Sequence, residues 1–406
     1  MGTSTFQYQV RDKTGKIVSG TIEAESQAAV AQKLTSMGYA TVSISQAGAG
    51  MKTELRIPGF GGKVKLKDLA VMSRQFATMI NSGLSLLRAL NILAEQTPNK
   101  KLAEVLAAVR NDVETGNPLS GAMAQHPDIF PPLMVNMIRA GEVGGFLDGV
   151  LLQIAANYEA EVKLKGKIKS AMTYPVVVFV MAILAAIGML IFIVPTFAKM
   201  FEGLGAELPV PTQILVNLSN FMKSAAPVLV LLFFGAVFAW RKVKRTERVR
   251  NIVDPLKLKL PVFGTLFQKI ALSRFTRNFG TMLHAGVPIL QALDIVADTS
   301  GNVVVARAVR DVQESVRSGE SLTGPLAQHA VFPPMVVQMM AVGEDTGALD
   351  DMLHKISEFY DQDVEATTES LTSLIEPLMI AFLGGMVGSM IIALYMPIFK
   401  VFDLIQ

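Results

Sequence analysis

The sequence predicts a mostly α-helical membrane protein with two duplicated cytoplasmic helical bundles of about six helices each, three transmembrane helices and a small N-terminal α/β domain. Two observations predict this fold class. The 406 residues are 51% hydrophobic and only 17% charged, which is typical of an integral membrane protein with sizeable soluble parts. In addition, a long helical pattern occurs twice at a nearly constant spacing along the chain.

The duplication is visible in matched residues. RQFATMINSGLSLLRAL, from Arg74, returns as TRNFGTMLHAGVPILQAL, which ends at Leu293. Gly83 pairs with Gly286 at an offset of 203, and after one deletion Phe130 pairs with Phe332 at an offset of 202. A period this long indicates a duplicated domain rather than a solenoid repeat. The later matches are Gly141-Glu142 with Gly343-Glu344, Asp148 with Asp350, Tyr158 with Tyr360, Pro175 with Pro377, and Pro195 with Pro397.

The N-terminal segment, residues 1–46, is expected to be a separate α/β domain. FQYQVRD, IVSGTIEA and ATVSISQ alternate as strands do, Lys13–Lys16 suggest a hairpin turn, and AAVAQKLTSMGY has helical spacing after Ser26. A Gly-containing linker is expected at 47–66. The two bundles are then expected at 67–171 and 270–373, with Gly83, Gly286 and similar glycines at helix-ending turns.

Three segments are predicted to cross a membrane, namely 172–195, 224–240 and 374–399. The uncharged stretches Pro175–Pro195, Ser224–Trp240 and Pro377–Phe399 contain 21, 17 and 23 residues, close to the roughly 20 needed to cross a bilayer core. Lysines and arginines cluster before the first span and in a basic connector at 241–269, whereas the loop at 196–223 holds only Lys199 and Lys223. The positive-inside rule therefore places both bundles in the cytoplasm and the loop and the tail at 400–406 outside.

Composition also excludes several classes of protein. The chain has no cysteine, which excludes disulfides and cysteine-based metal sites. A net charge of +3 is too small to suggest a nucleic-acid partner. The first 60 residues contain no long apolar run, so no cleavable signal peptide is expected and the N-terminus is expected in the cytoplasm.

No catalytic constellation is present in the sequence. No stretch fits the phosphate-binding pattern G-x-x-x-x-G-K-[ST], and none of the four histidines belongs to a recognisable metal-ligand motif. We therefore expect a protein that is not an enzyme and that has no cofactor and no metal.

The repeated carboxylates and the basic connector are the candidate partner contacts. Either the carboxylates of Glu142, Glu344, Asp148 and Asp350 bind a partner or a cation, or they stabilise helix ends and bond local backbone. We expect Glu142→Gln to impair activity without unfolding the protein. The basic side chains either dock an acidic partner or anchor the topology and contact lipid. They are Arg241, Lys242, Lys244 and Arg245.

Four residues of the spans are candidate hinge or packing positions. Pro175 and Pro377 lie where each bundle enters the membrane, and each either kinks or simply begins a helix. Gly384 and Gly388 form a small-xxx-small face suited to close packing, within one chain or between chains.

Several motifs together resemble the GspF/PilC family of inner-membrane platform proteins. They are RQFATMINSG, ETGNPLSGAMAQHPDIFPP, MIRAGEVGGFLD, FPPMVVQMMAVGEDTGALDDMLHKISEFYDQDV and GAELPVPTQ, in the order bundle, two spans, bundle, one span. The resemblance covers nearly the whole chain, and GEDTGALDDML and PVPTQ are closer to the pilus branch than to the secretion branch.

The resemblance implies a platform in the bacterial inner membrane that couples a cytoplasmic assembly ATPase to insertion of pilin subunits into a type IV pilus. It also allows a retraction ATPase as a second partner. It implies contacts with pilin or pseudopilin transmembrane helices, other components of the machine and membrane lipid, and self-association as a homo-oligomer. The alternative is the type II secretion system protein F, acting on a pseudopilus. A transporter is a remote alternative, because three spans without internal charge form a poor pathway.

Overall fold

The chain divides into two compact units, residues 1–61 and 62–406. The computed structural model describes residues 4–11, 17–24, 27–36, 40–46, 63–203, 208–244 and 246–404. The predicted hairpin turn at Lys13–Lys16, Ser26, most of the linker and the last two residues lie outside the described residues.

The N-terminal unit holds three antiparallel strands and one helix: β1 (Ser4–Arg11), β2 (Ile17–Ala24), α1 (Gln27–Ser36) and β3 (Ala40–Gln46). The strand order is β2-β1-β3, with a register shift between Gln9 and Val10 where β1 meets β3. Val30 and Leu34 of α1 are buried against Ile22 and Ala24 of β2. The apolar spacing of α1 thus forms its contact with the sheet.

The first bundle consists of six helices. They are α2 (Leu66–Asn81), α3 (Leu86–Gln96), α4 (Lys100–Glu114), α5 (Leu119–Ala124), α6 (Pro132–Gly144) and α7 (Leu147–Gly188). Local signals set the boundaries: the Asn99 side chain accepts a hydrogen bond from Leu102 N (3.2 Å) at the start of α4. Gly145, at φ +76°, ends α6, in the left-handed conformation that glycine adopts without strain.

The second bundle repeats this order after a short helix, α10. The bounds are α10 (Glu247–Lys259), α11 (Phe263–His284), α12 (Ile289–Thr299), α13 (Val303–Arg317), α14 (Thr323–Gln328), α15 (Pro334–Thr346) and α16 (Leu349–Leu404). Buried apolar residues of both bundles form one continuous core. The two bundles therefore pack as a single body.

The membrane segments continue the last helix of each bundle. A π-helical turn, Met189–Ile193, leads from α7 into α8 (Val194–Gly203), and α9 covers Val210–Val243. Within the described residues three helical stretches are long and apolar enough to cross a membrane: Leu147–Phe201, Val210–Trp240 and Leu349–Pro397. Buried side chains from the first and third stretches meet in a small apolar cluster, which joins the spans.

Two predicted boundaries differ from the structure. The expected loop at 196–223 is mostly helical, since α8 ends at Gly203 and α9 begins at Val210. Helix continues there because Thr212 donates to the carbonyl of Ala393 and apolar side chains of early α9 pack against α16. The second bundle begins at Phe263, inside the expected connector 241–269, because Lys269 bonds Asp363 (2.9 Å) and ties early α11 to α16.

The prolines at the membrane entry lie inside continuous helices. Pro175 is in α7, which begins at Leu147, and both Pro377 and Pro397 are in α16. A proline removes one backbone donor but does not end a helix that is held by packing on both sides. The interpretation of Pro175 and Pro377 as helix starts is therefore wrong.

Candidate functional site: the seam between the two bundles

Glu142 bonds the backbone of its own bundle. Its carboxylate accepts hydrogen bonds from Leu119 N (2.5 Å) and Ser120 N (3.0 Å) at the beginning of α5. A negative group at this end of a helix satisfies free N–H donors and complements the helix dipole. The preceding Gly141 makes room for this packing, because a Cβ there would lie 3.0 Å from Val150 Cγ2.

Glu344 repeats the arrangement in the second bundle. Its carboxylate accepts from Leu322 N and from the Ser321 hydroxyl, both at 2.8 Å, at the start of α14. A Cβ on Gly343 would lie 2.9 Å from Leu349 Cα. The Gly-Glu pair therefore has the same role in both bundles: the glycine admits the following helix, and the glutamate caps a preceding one.

The two aspartates lie in the first turns of α7 and α16, as expected for a helix N-terminus. Asp148 is exposed. Asp350 lies 2.8 Å from His284 Nδ1 of α11, and this hydrogen bond is the main reason that the pKa of Asp350 is below its usual value. The four carboxylates thus have separate local partners or surroundings and are not gathered in one site.

The remaining predicted positions have different surroundings. Lys242 and Lys244 are exposed at the end of α9, whereas the side chain of Arg241 and the whole of Arg245 lie outside the described residues. Gly83 and Gly286 have φ of +83° and +70°, so each forms the turn that glycine makes without strain. No heavy atom lies within 4 Å of a Cβ built on Gly384 or Gly388, so the described residues place nothing against this face.

A cleft of about 600 Å³ separates α7 of the first bundle from α11 and α16 of the second. Its lining carries both signs of charge. Arg277 of α11 bonds Asp361 of α16, and His354 lies 3.3 Å from Glu358 on α16. Oppositely charged neighbours compensate one another in this cleft. Its other charged or titratable lining residues are Lys163, Lys167, His284, Asp350, Asp351 and Glu365.

Polar contacts cross the seam between the bundles along its length. Gln291 of α12 donates to Asn136 of α6 (3.0 Å). Asn157 of α7 donates to Asn278 (3.2 Å) and to Thr281 (3.3 Å) of α11. Buried amides that bond each other fix the alignment of two surfaces, because leaving either unpaired is costly.

Closer to the membrane the seam combines charge and apolar packing. Arg274 of α11 lies 3.3 Å from Glu161 of α7, and Lys167 of α7 pairs with Glu365 of α16. Leu164 packs between these pairs, in a cluster with Leu266, Val364 and Leu371. None of these seam residues was predicted from the sequence to join the bundles, and Lys167 counted only among the basic residues before the first span. The signal that marks them is a difference between the repeats, since Asn157, Leu164 and Lys167 correspond to Phe359, Ala366 and Glu369.

The seam has the chemistry of an interface. Among the described residues no group of three or more His, Cys, Asp or Glu side chains is arranged to hold a metal ion. Arg277 with Asp361 and His284 with Asp350 join α11 to α16 in this cleft, whereas His354 and Glu358 pair within α16. The geometry therefore supports a role in holding the two bundles, and with them the long helices α7 and α16, in a fixed relative orientation.

Comparison with known proteins gives the family. The model of the type II secretion system protein F domain matches twice, at residues 72–195 and 275–397, and the model of its N-terminal domain matches residues 3–45. The chain is 46% identical over 397 residues to the type IV pilus assembly protein PilC of Thermus thermophilus, covering 98% of each. It is 44% identical over 404 residues to that of Myxococcus xanthus, covering 100% of this chain and 96% of the relative.

A second group of relatives is more distant. The type II secretion system protein F of Vibrio cholerae is 31% identical over 405 residues, covering 99% of this chain and all of the relative. The two domain matches begin and end at the offsets of 203 and 202 that the duplication shows. With both repeats, the N-terminal domain and full-length relatives in agreement, the chain belongs to the type II secretion system protein F family, which includes the type IV pilus assembly proteins PilC.

Proposed function

We propose that this protein is the inner-membrane platform of a type IV pilus assembly machine and that it couples a cytoplasmic assembly ATPase to the insertion of pilin subunits. The observation that carries the proposal is mechanical. α7 and α16 begin in the bundles and run without a break into the membrane segments. α16 has 56 residues, so it is about 84 Å long at 1.5 Å per residue.

Such helices suit the transmission of movement. We name α7 and α16 the stem helices, and the stem is the part of each between its bundle and its membrane span. The two bundles share one core, so a force applied to their surface moves both stem helices together. A continuous helix transmits this displacement to the spans, because its backbone hydrogen bonds keep it stiff along its axis. The energy comes from a partner, since the sequence contains no phosphate-binding loop.

The orientation that we propose puts both bundles in the cytoplasm. The basic residues of the stem and of the connector support it, because lysine and arginine concentrate on the cytoplasmic side of short loops. In this orientation the bundles face the ATPase and the spans face the pilin helices in the bilayer. Glu142 and Glu344 stabilise the bundle surface through their hydrogen bonds at the beginnings of α5 and α14.

Deleting the gene and examining cells for surface pili by electron microscopy tests the assignment, with the wild-type copy as complementation. We expect pili to be lost and then restored. Normal pili together with exported enzymes retained inside the cell would instead support the second candidate, the type II secretion protein F, which the relative from Vibrio cholerae favours.

A variant pair tests the mechanical step. Lys169, Ser170 and Ala171 lie in the stem part of α7, between the bundle and the first span. Replacing all three with glycine removes helix propensity at about 1 kcal/mol per residue, whereas replacing Lys169 and Ser170 with alanine, the residue already at position 171, preserves the helix. We expect the alanine variant to assemble pili and the glycine variant to insert in the membrane without assembling them. Equal piliation in both would show that stem stiffness is not needed.

A further inference from the structure

The contact between the two bundles is one-sided. α6 and α7 of the first bundle lie against α11 and α12 of the second, whereas α15 makes no comparable contact with α2 or α3 in the described part of the chain. Only α7 and α16, which are equivalent helices, also contact each other. A contact in which two different surfaces meet is heterologous, and it leaves one copy of each surface free.

The first free surface is on the first bundle and is named here the α2–α3 face. It consists of the residues equivalent to those that α11 and α12 use in the seam. All five are exposed, including Gln75, whose counterpart Asn278 is buried in the seam. The α2–α3 face comprises Val71, Gln75, Thr78, Gly83 and Arg88, which correspond to Arg274, Asn278, Thr281, Gly286 and Gln291.

The second free surface is on the second bundle and is named here the α15–α16 face. It consists of the residues equivalent to those that α6 and α7 use in the seam. Asn157 is 5% exposed in the seam, and its counterpart Phe359 is 47% exposed. The α15–α16 face comprises Gln338, Phe359, Asp363, Ala366 and Glu369, which correspond to Asn136, Asn157, Glu161, Leu164 and Lys167.

The two free faces have complementary chemistry. Large apolar side chains are exposed on both, with Val71 and Leu87 on the α2–α3 side and Phe359 on the α15–α16 face. One of the two ion pairs of the seam has a charged counterpart, whereas the counterpart of Arg274 with Glu161 is Val71 with Asp363, an apolar and an acidic residue. The pair equivalent to Lys167 with Glu365 would be Glu369 of one copy with Lys163 of the next. Both side chains are exposed, and Lys163 also lines the cleft of the seam in its own chain. The signs are reversed relative to the seam, yet they remain opposite, as an attractive pair requires.

We propose that the α2–α3 face of one chain binds the α15–α16 face of a second copy of this chain, in the same head-to-tail arrangement that joins the two bundles within each chain. The stem helices permit this geometry, because α7 and α16 both lead from a bundle toward a membrane span. Copies related in this way share one membrane, and head-to-tail contacts about an axis normal to it form a closed ring when the rotation between successive copies divides a full turn.

Site-directed cross-linking in the full-length chain tests the proposal, and the chain offers a clean background because it has no cysteine. Arg88→Cys is made in one tagged chain and Gln338→Cys in a second, differently tagged chain. Both are expressed together, and membranes are treated with a short thiol-specific cross-linker. The matched control is one chain that carries both Asn136→Cys and Gln291→Cys, at the equivalent contact inside the seam.

We expect a heterodimer carrying both tags and no cross-linked dimer when either cysteine chain is expressed alone. A homodimer through Arg88→Cys alone would overturn the proposal, because it would show that the α2–α3 face binds itself. Failure to cross-link any pair, while the control pair closes within its chain, would overturn it as well. Proteolysis between the two control cysteines followed by electrophoresis shows whether the control has closed.

A second variant separates this contact from docking of an ATPase. Phe359→Asp in the Gln338→Cys chain is expected to lower the heterodimer yield at least fivefold. Phe233→Asp on α9 lies away from either face, but it is not a suitable control because it lies in a span. The matched control is Asp298→Ala on α12, an exposed position outside both faces.

Loss of the heterodimer in cells without the assembly ATPase would assign the two faces to that partner and overturn the proposal. Since no pilus is needed for this readout, its failure is distinct from failure of the proposed function.

Discussion

Arg74 on α2 forms a two-pronged ion pair with Glu159 on α7, with both N···O distances at 2.7 Å. The second bundle has the same pair in Arg277 and Asp361, at equivalent positions of the duplication. The surroundings differ, because the Arg74 side chain is 40% exposed and that of Arg277 is 8% exposed. One inherited contact is therefore a surface pair in one bundle and part of the seam in the other.

This difference predicts unequal costs of removing the acid. Glu159→Gln should lower the free energy of unfolding by about 0.5 kcal/mol, because exposed ion pairs contribute little. Asp361→Asn should cost about 3 kcal/mol, because it leaves a buried guanidinium without its counter-charge. Thermal melting of the detergent-solubilised variants measures the difference. Equal losses would show that burial does not set the strength of this pair.

The surface pair also predicts a dependence on pH. The hydrogen bond and charge of Arg74 lower the pKa of Glu159. A carboxylate with a lowered folded-state pKa contributes stability above its unfolded value of about 4.3, and this contribution is lost as the pH falls through the folded-state pKa. We expect the melting temperatures of wild type and Glu159→Gln to differ near neutral pH and to converge below about pH 4. A difference that does not shrink as the pH falls below the unfolded value of about 4.3 would contradict the assignment.

Glu142 and Glu344 predict a stability effect in each bundle. Glu142→Gln retains one acceptor oxygen but loses the charge and one of two backbone hydrogen bonds, so we expect a loss of about 1–2 kcal/mol. Glu344→Gln should cost a similar amount, because its carboxylate also accepts two hydrogen bonds, one from a backbone N–H and one from the Ser321 hydroxyl. Asp148→Asn, at an exposed position in the same bundle, is the control and should cost less than 0.5 kcal/mol.

Piliation of these three variants separates structure from partner binding. Loss of pili in proportion to the loss of stability would assign Glu142 to the scaffold. Loss of pili by Glu142→Gln with an unchanged melting temperature would instead show that its carboxylate contacts a partner, as the sequence alone allowed.

The sequence predicts the parts of the fold that the two repeats share. Gly141 and Glu142 could be identified because their packing and capping roles recur at Gly343 and Glu344. The spans could be predicted from their length and apolarity. These features depend on short-range patterns that each copy had to keep.

The seam could not be predicted in the same way. Asn157 meets Asn278 from a distance of 121 residues, and no local pattern indicates a contact between two domains. Comparing the repeats for resemblance also hides it, because an interface used by one copy only appears as a mismatch, such as Asn157 against Phe359. The early start of α11 was missed for a related reason, since long-range bonds to α16 rather than local signals stabilise its first turns.

Two helix glycines in the first bundle predict opposite effects of one substitution. Gly141→Ala should cost about 1–3 kcal/mol, because its Cβ would lie 3.2 Å from the Leu147 Cα and close to Val150. Gly166→Ala should stabilise by about 0.5–1 kcal/mol, because it lies inside α7 with no heavy atom within 4 Å of the new Cβ. Thermal melting of both variants in one detergent tests the pair, and destabilisation by Gly166→Ala would show that something covers this part of the stem.

Tyr158 predicts that removal of a buried hydroxyl is harmless. The side chain is buried, and its Oη has no hydrogen-bond partner among the described residues. Burial is the main reason that the pKa of Tyr158 is well above its usual value, and it raises that of its repeat counterpart Tyr360 to about 12. Tyr158→Phe keeps the ring and removes a polar atom that gains no hydrogen bond in the fold. The free energy of unfolding should therefore stay the same or rise by up to about 2 kcal/mol, and the melting temperature should not fall.

The control for this variant is Tyr360→Phe at the equivalent position in the second bundle, where the ring is also buried. Because the Tyr360 hydroxyl is not among the buried groups that lack a partner, we expect no gain there. Melting of both variants is followed by circular dichroism across neutral pH. If Tyr158→Phe lost more than about 1 kcal/mol, its hydroxyl would have a partner that the fold does not reveal, and an ordered water between α7 and the bundle core would be the first to look for.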